Sequence, residues 1–226
     1  MAVRRPLRGC LKFDRINLFT FPFQEVVRLA DYSFFAYLSR LRLISRWSLM
    51  RNTQPENDAE HSLQVAMIAH GIAILGRDRY GREVNPEHIL SLAVYHDATE
   101  VMTGDLPTPV KYHSDSLREA YHRLESISAD RLLNLLPLEM RPAFSPYLKQ
   151  APGYDRDIVK AADRISAYIK CREELRAGNR EFDYAAENIR ASLDAIPWPE
   201  VQDFLREFLP AFDRTLDELN HPNQGE

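Results

Sequence analysis

Asn57-Asp58-Ala59-Glu60-His61-Ser62-Leu63-Gln64-Val65-Ala66-Met67-Ile68-Ala69-His70-Gly71-Ile72-Ala73-Ile74-Leu75-Gly76 begins with a helix-start signal and continues at helical period. Asn57 and Glu60 have the spacing of a capping box, in which each residue satisfies a backbone donor of the other. Leu63, Ala66, Ile68, Ile72 and Leu75 then recur at three- and four-residue intervals, which places them along one side of a helix. The stretch predicts a helix from Asn57 or Asp58 to Gly76, with His61 in its first turn. Apolar residues alternate nowhere else convincingly, so the chain is expected to be all-α.

The rest of the 226 residues agrees with that reading. A composition of 45% hydrophobic and 27% charged residues belongs to an ordinary globular protein and excludes disordered, collagen-like and membrane classes. The most apolar run, Leu63 to Leu75, is too short to span a bilayer and contains His70. Lys12, Asp14, Arg15 and Asn17 interrupt the apolar character near the N-terminus, so no signal-peptide core is expected there. The net charge of −4 supplies no field for nucleic acid. Cys10 and Cys171 suggest neither a disulfide framework nor a cysteine zinc cluster, and a reducing cytoplasm fits them.

Further helices are expected at 24–46, from Asn85-Pro86 to Val101, and at 115–136, 138–149, 156–177, 181–195 and 199–219, the last kinked at Pro210. Gly104-Asp105-Leu106-Pro107-Thr108-Pro109 is expected to be a stiff non-helical loop. Residues 1–30 read as a mildly basic extension carrying Phe19, Phe21 and Phe23, 31–220 as the functional domain, and 221–226 as a tail.

The adjacent pair His96-Asp97 sits in the apolar run Leu92 to Glu100. Alone, it reads more readily as a solvated helix end. His61 and Asp163, the latter a lone charge within Val159 to Ile165, change that reading by offering ligands from two other helices. Two imidazoles and two carboxylates suit Mn, Co, Fe or Zn better than the all-oxygen sites of Mg or Ca. Adjacent residues on an ideal helix diverge by about 100°, so joint ligation by His96 and Asp97 requires a distorted helix end. Glu100 lies three and four residues beyond the pair, on the same face. Arg46 and Trp47, read alone, are a solvated cation and a half-buried anchor. His70, His88, His113, His122 and His221 have no spacing that links them to this set.

The ordered set His61, His96-Asp97, Asp163 resembles the signature of the HD-domain metal-dependent phosphohydrolases. The surrounding segments Leu43 to Arg51, Glu60 to Ala66 and His96 to Lys111 resemble the YfbR-type bacterial 5′-deoxynucleotidases, and the similarity covers roughly Asp31 to Asn220. The resemblance implies an all-α HD-domain helical bundle. It implies hydrolysis of deoxyribonucleoside 5′-monophosphates by one divalent cation, Co²⁺ or Mn²⁺ first and Zn²⁺ or Fe²⁺ next. It implies His61, His96, Asp97 and Asp163 as metal ligands and Glu100 as the acidic catalytic residue. It implies Arg46 as the catalytic phosphate-holding cation, with Trp47, Asp105, Leu106, Pro107 and Thr108, together with His61 and Asp163, facing the substrate. A cytoplasmic homodimer that binds neither nucleic acid nor membrane is the expected setting. Two other readings remain: an HD phosphohydrolase acting on a deoxynucleoside triphosphate or a signalling nucleotide, and a non-catalytic helical interaction module.

Overall fold

In the computed structural model, residues 32–220 other than Tyr112 are described, and the side chains of Thr108 and Pro109 lie outside the description. The expectations for residues 1–30, for 221–226 and for His221 therefore fall outside it. Among the described residues, helices account for all the regular structure, apart from a single antiparallel bridge between Ser45 and Asn57.

Eleven α-helices follow one another among the described residues: α1 (Phe34–Leu38), α2 (Asp58–Tyr80), α3 (Pro86–Val94), α4 (Glu100–Thr103), α5 (Thr108–Lys111), α6 (Asp115–Asn134), α7 (Arg141–Leu148), α8 (Tyr154–Arg176), α9 (Asp183–Asp194), α10 (Pro199–Glu207) and α11 (Leu216–Asn220). Three short 3₁₀ turns, Ser39–Leu43, Arg180–Phe182 and Leu209–Asp213, link some of them. α2 is the central element, and its apolar residues interlock with those of α3, α8 and α10. Val65, Ala69, Ile72 and Ala73 of α2, Ile89 and Ala93 of α3, Ile158, Ala162 and Ile165 of α8 and Val201 of α10 are all fully or nearly fully buried. Burying each of the larger residues contributes on the order of 1.5–3 kcal/mol. A second cluster packs Phe34 and Ala98 against Leu132 and Leu136 of the α6 end, and a third packs Phe182 beneath Trp47 and Met50.

Five segments differ from expectation. α2 runs through Gly76 to Tyr80 and ends at Gly81, whose φ of 64° is a left-handed C-terminal cap. Gly76 is there for space: a Cβ on it would lie 2.6 Å from Tyr154 Oη. The helix expected over 24–46 gives way to a 3₁₀ turn at Ser39, and the backbone is extended by Ile44. Its backbone finds partners across the loop instead of one turn back: Arg46 N donates to Glu56 O, and Ile44 O accepts from Asp58 N. The helix expected to reach Val101 breaks at Tyr95 and resumes at Glu100. Thr108–Lys111 is helical despite Pro109, because a first-turn proline costs a helix no hydrogen bond. The segment 199–219 is divided into three pieces, with Pro210 in the middle 3₁₀ turn.

Candidate metal centre and phosphate cleft

The capping box at the start of α2 is fully formed: Asn57 Oδ1 accepts from the amides of Ala59 and Glu60 at 3.1 Å, and Glu60 Oε2 accepts from Asn57 N. This fixes the first turn of α2 and with it His61, which is completely buried. His61 Nε2 stands 3.0 Å from Asp163 Oδ1 on α8. Its Nδ1 lies 3.1 Å from Ser166 Oγ, and Ser166 in turn donates to Gln64 Oε1 at 2.6 Å. A serine that donates to Gln64 accepts from the imidazole, so the proton of His61 sits on Nδ1 and Nε2 presents its lone pair.

His96 is arranged in the same way. Its Nδ1 donates to Ala93 O at 2.8 Å, and its Nε2 is buried without a hydrogen-bond partner, 3.1 Å from Asp97 Oδ2. The helix break at Tyr95 is the distortion that lets adjacent His96 and Asp97 face one point. Donor atoms of His61, His96 and Asp163 lie within 4.8 Å of one another. Asp97 Oδ2 lies beside that group and not within it, 3.1 Å from His96 Nε2 and 3.8 Å from His61 Nε2. Burial alone would lower His96, yet Asp97 and Asp163 hold it up at about 9. The centre thus attracts positive charge to Nε2, a proton in the absence of a cation. Two nitrogens and two carboxylates fit a divalent transition metal.

Beside this centre lies Arg46, with Nη1 3.3 Å from Asp97 Oδ2 and 3.6 Å from Asp58 Oδ1, and Nε 3.5 Å from Glu56 Oε2. Burial opposes its charge, but Asp97, Asp163 and Glu56 more than offset that and keep the guanidinium firmly protonated. Trp47 follows with a φ of 55°, a left-handed conformation unfavourable for a bulky residue. Its indole Nε1 donates to Glu56 Oε2 at 3.0 Å, and its ring packs on Phe182.

On the other side, carboxylate oxygens of Asp58, Glu100 and Asp105 lie within 4.8 Å of one another. Lys111 Nζ donates to Glu100 Oε1 at 3.0 Å and stands 3.6 Å from Asp105 Oδ1, so Lys111 and Arg46 between them serve all three. Burial pushes Glu100 up to about 9, with Asp97, Asp105 and Asp58 adding to the push against Lys111. Burial likewise raises Asp58 to about 7 against the opposing Arg46. Glu100 Oε2 is buried without a partner. Gly104, at φ 72°, turns the chain so that Asp105 points back to this cluster, and Leu106 and Pro107 continue, partly buried, into α5. His88 and His122 sit apart, near Asp155 and Glu125 respectively.

Sequence reasoning missed Glu56, Asp58, Gln64 and Ser166, and counted Lys111 only as a nearby charge. Asp58 gave no signal, because an acidic residue in a first helical turn is expected from the helix dipole alone.

A sequence profile described as 5′-deoxynucleotidase YfbR-like matches residues 33–212. A 5′-deoxynucleotidase from Vibrio parahaemolyticus is 47% identical over 194 residues, which is 85% of this chain and all of that protein. The 5′-deoxynucleotidase YfbR of Escherichia coli is 47% identical over 189 residues, 83% of this chain and 95% of that one. Among solved structures, an HD-domain phosphohydrolase from Listeria innocua superposes with a TM-score of 0.71 at 27% identity, covering 84% of this chain and 94% of that one. A cyanophage S-2L HD phosphohydrolase, solved with dA and one catalytic Zn²⁺, shares the fold with a TM-score of 0.56 at 22% identity over 80% of this chain and 96% of that one.

Proposed function

Because the chain belongs to the YfbR-like family of 5′-deoxynucleotidases, we infer that it is a metal-dependent phosphoric monoester hydrolase that converts deoxyribonucleoside 5′-monophosphates and water into deoxynucleosides and phosphate. The observation that carries this reading is the pair of imidazoles whose Nε2 atoms are both turned, by their own Nδ1 hydrogen bonds, onto the carboxylates of Asp97 and Asp163.

His61, His96, Asp97 and Asp163 would hold the cation, with Co²⁺ or Mn²⁺ as our first assignment and Zn²⁺ or Fe²⁺ as the next. When bound, the cation supplies Lewis-acid polarisation of the phosphate and a water acidified toward a pKa of about 7. Arg46 holds the phosphate, since its planar guanidinium matches two phosphate oxygens with parallel donors. Lys111 donates to Glu100 Oε1, which leaves Oε2 to carry the proton. Glu100 keeps that proton at neutral pH and gives it to the departing 5′-oxygen as the P–O bond breaks, acting as general acid. Asp105 accepts a hydrogen bond from the sugar 3′-hydroxyl, and Trp47 walls off the 2′ position, so ribonucleotides are disfavoured. Leu106, Pro107 and Thr108 belong to the same proposed substrate-facing set.

Monophosphate is favoured over triphosphate because Lys111 is committed to Glu100, while Arg51 is exposed and sits beside Glu181. Arg46 is itself paired with Asp97 and Asp58, so among the described residues little cationic capacity is left for a second and third phosphate. Cytoplasmic location and homodimeric assembly belong to the same proposal. The test is phosphate release from dAMP, AMP and dATP by metal-stripped protein with and without Co²⁺ or Mn²⁺. Metal-dependent release from dAMP in strong preference to the other two is expected. Release mainly from dATP moves the substrate, and no release from any of them overturns the reading.

A further inference from the structure

On α8, Asp163, Ser166, Lys170 and Glu174 follow one another at spacings of three and four, so they share one face of the helix. The first two of these belong to the metal centre. The last two reach about three turns further, to the loop that carries Trp47 and Glu56, and neither takes part in the chemistry above.

Glu174 is fully buried, as is all but 3% of Lys170. Glu174 accepts hydrogen bonds from the amides of Thr53 and Gln54 at 2.8 and 3.1 Å, from the Thr53 hydroxyl at 2.7 Å and from Asn179 Nδ2 at 2.8 Å. Lys170 Nζ donates to Glu174 and to Gln54 O. Asn179 also donates to Arg51 O at 2.6 Å. Three side chains from α8 and the turn after it therefore satisfy the backbone of Arg51, Thr53 and Gln54. A buried ionic network of this kind is a poor way to gain net stability, since desolvation offsets most of the Coulomb attraction. What it does supply is a fixed loop.

Two residues beyond the clamped segment is Glu56, whose carbonyl accepts from Arg46 N and whose carboxylate accepts from the Trp47 indole. Asn52, within the segment, donates to Trp47 O and Met50 O. Trp47 occupies its left-handed conformation between these contacts, and a conformation that costs roughly 1–3 kcal/mol persists only where its surroundings over-determine it. We propose that Glu174 is a positioning residue for substrate recognition, holding residues 51–56 so that Arg46 and Trp47 are oriented before the nucleotide arrives. This inference rests on the reading that Arg46 and Trp47 contact the substrate.

The experiment compares full-length wild type, Glu174→Gln and Arg46→Lys for dAMP and AMP hydrolysis and for bound metal. Preorganisation lost at a binding surface weakens binding without touching the chemical step. Glu174→Gln is expected to raise KM for dAMP roughly tenfold, leave kcat within about twofold, narrow the dAMP-over-AMP preference and keep the metal content of wild type. A folded Glu174→Gln with unchanged KM and preference overturns the proposal, as does one that loses kcat and metal together. Thr53→Val removes one of the same hydrogen bonds from an exposed loop residue. Should Glu174→Gln fail to fold, Thr53→Val carries the same expectation at smaller size, and its unchanged KM overturns the proposal equally. If Arg46→Lys leaves KM unchanged, the reading of the cleft fails; if it raises KM while Glu174→Gln does not, only the clamp fails.

Discussion

Glu100 and Asp58 are neighbouring carboxyls driven upward by burial, one opposed by Lys111 and the other by Arg46. With Glu100 at about 9 in the metal-free protein, the acid form proposed to donate to the leaving group persists at neutral pH and is lost as pH rises. The turnover of dAMP by the metal-loaded enzyme should therefore decline on the alkaline side, and at a lower pH than Glu100 titrates in the metal-free protein, because a cation bound at Asp97 offsets the charge that helps to raise Glu100. Glu100→Gln removes the transferable proton, and general-acid contributions are typically about 10²–10⁴-fold. Its kcat should fall by that order with the metal content intact and the alkaline decline gone, as checked by pH–rate profiles and metal analysis. An undiminished kcat would remove Glu100 from the reaction. At this scale the sequence was legible where residue type is unusual for its place, as with His96-Asp97 among apolar neighbours. It was silent where the type is ordinary, as with Glu56 and Ser166, whose roles come from partners far away along the chain.

At the scale of the helix, α2 owes its start to the Asn57–Glu60 box, which the sequence displayed openly. Its end was misread because glycine at a helix terminus and glycine at a close crossing look the same in one dimension. Gly76 is of the second kind: Tyr154 Oη, which donates to the fully buried Glu200 at 2.6 Å, occupies the space a methyl group would need. Gly76→Ala would gain helix propensity but must displace a hydroxyl that Glu200 holds in place. Overpacking of this sort costs about 1–3 kcal/mol. Thermal unfolding should show that loss while Co²⁺ affinity stays the same, because the crossing is several turns from His61. The breaks at Ser39 and Tyr95 were illegible for a related reason. Apolar periodicity continues through both, and only the tertiary partners of the freed amides, or the demand that His96 and Asp97 face one point, end the helix.

Across the whole molecule, the proposed ligands come from the α2 start, the α3–α4 turn and α8, so a bound cation would add one more tie between helices already packed together in the core. A ligand that binds only the folded state stabilises it by about 2.7 kcal/mol at a concentration of 100 Kd. With about 2–4 °C per kcal/mol for a chain of this size, chelation should lower the melting temperature by roughly 5–10 °C. Calorimetry with and without chelator checks this, and an identical melting temperature would remove the cation from the centre. The all-α class was legible at this scale because it depends on period, and the convergence of His61, His96 and Asp163 because their residue types are unusual in apolar helices. The loop clamp was not, since Glu174 and Thr53 are 121 positions apart.

The separation of His61 from Asp163 by 102 positions also has a consequence during synthesis. A chain emerging from the ribosome can display His61, His96 and Asp97 long before α8 is out, but it cannot close the donor set until then. With the proposed ligand set, full capture of the cation would require that the later half of the chain has been made and docked. Truncated products would compete poorly for scarce cellular cations, and loading would come late, with completion of the fold.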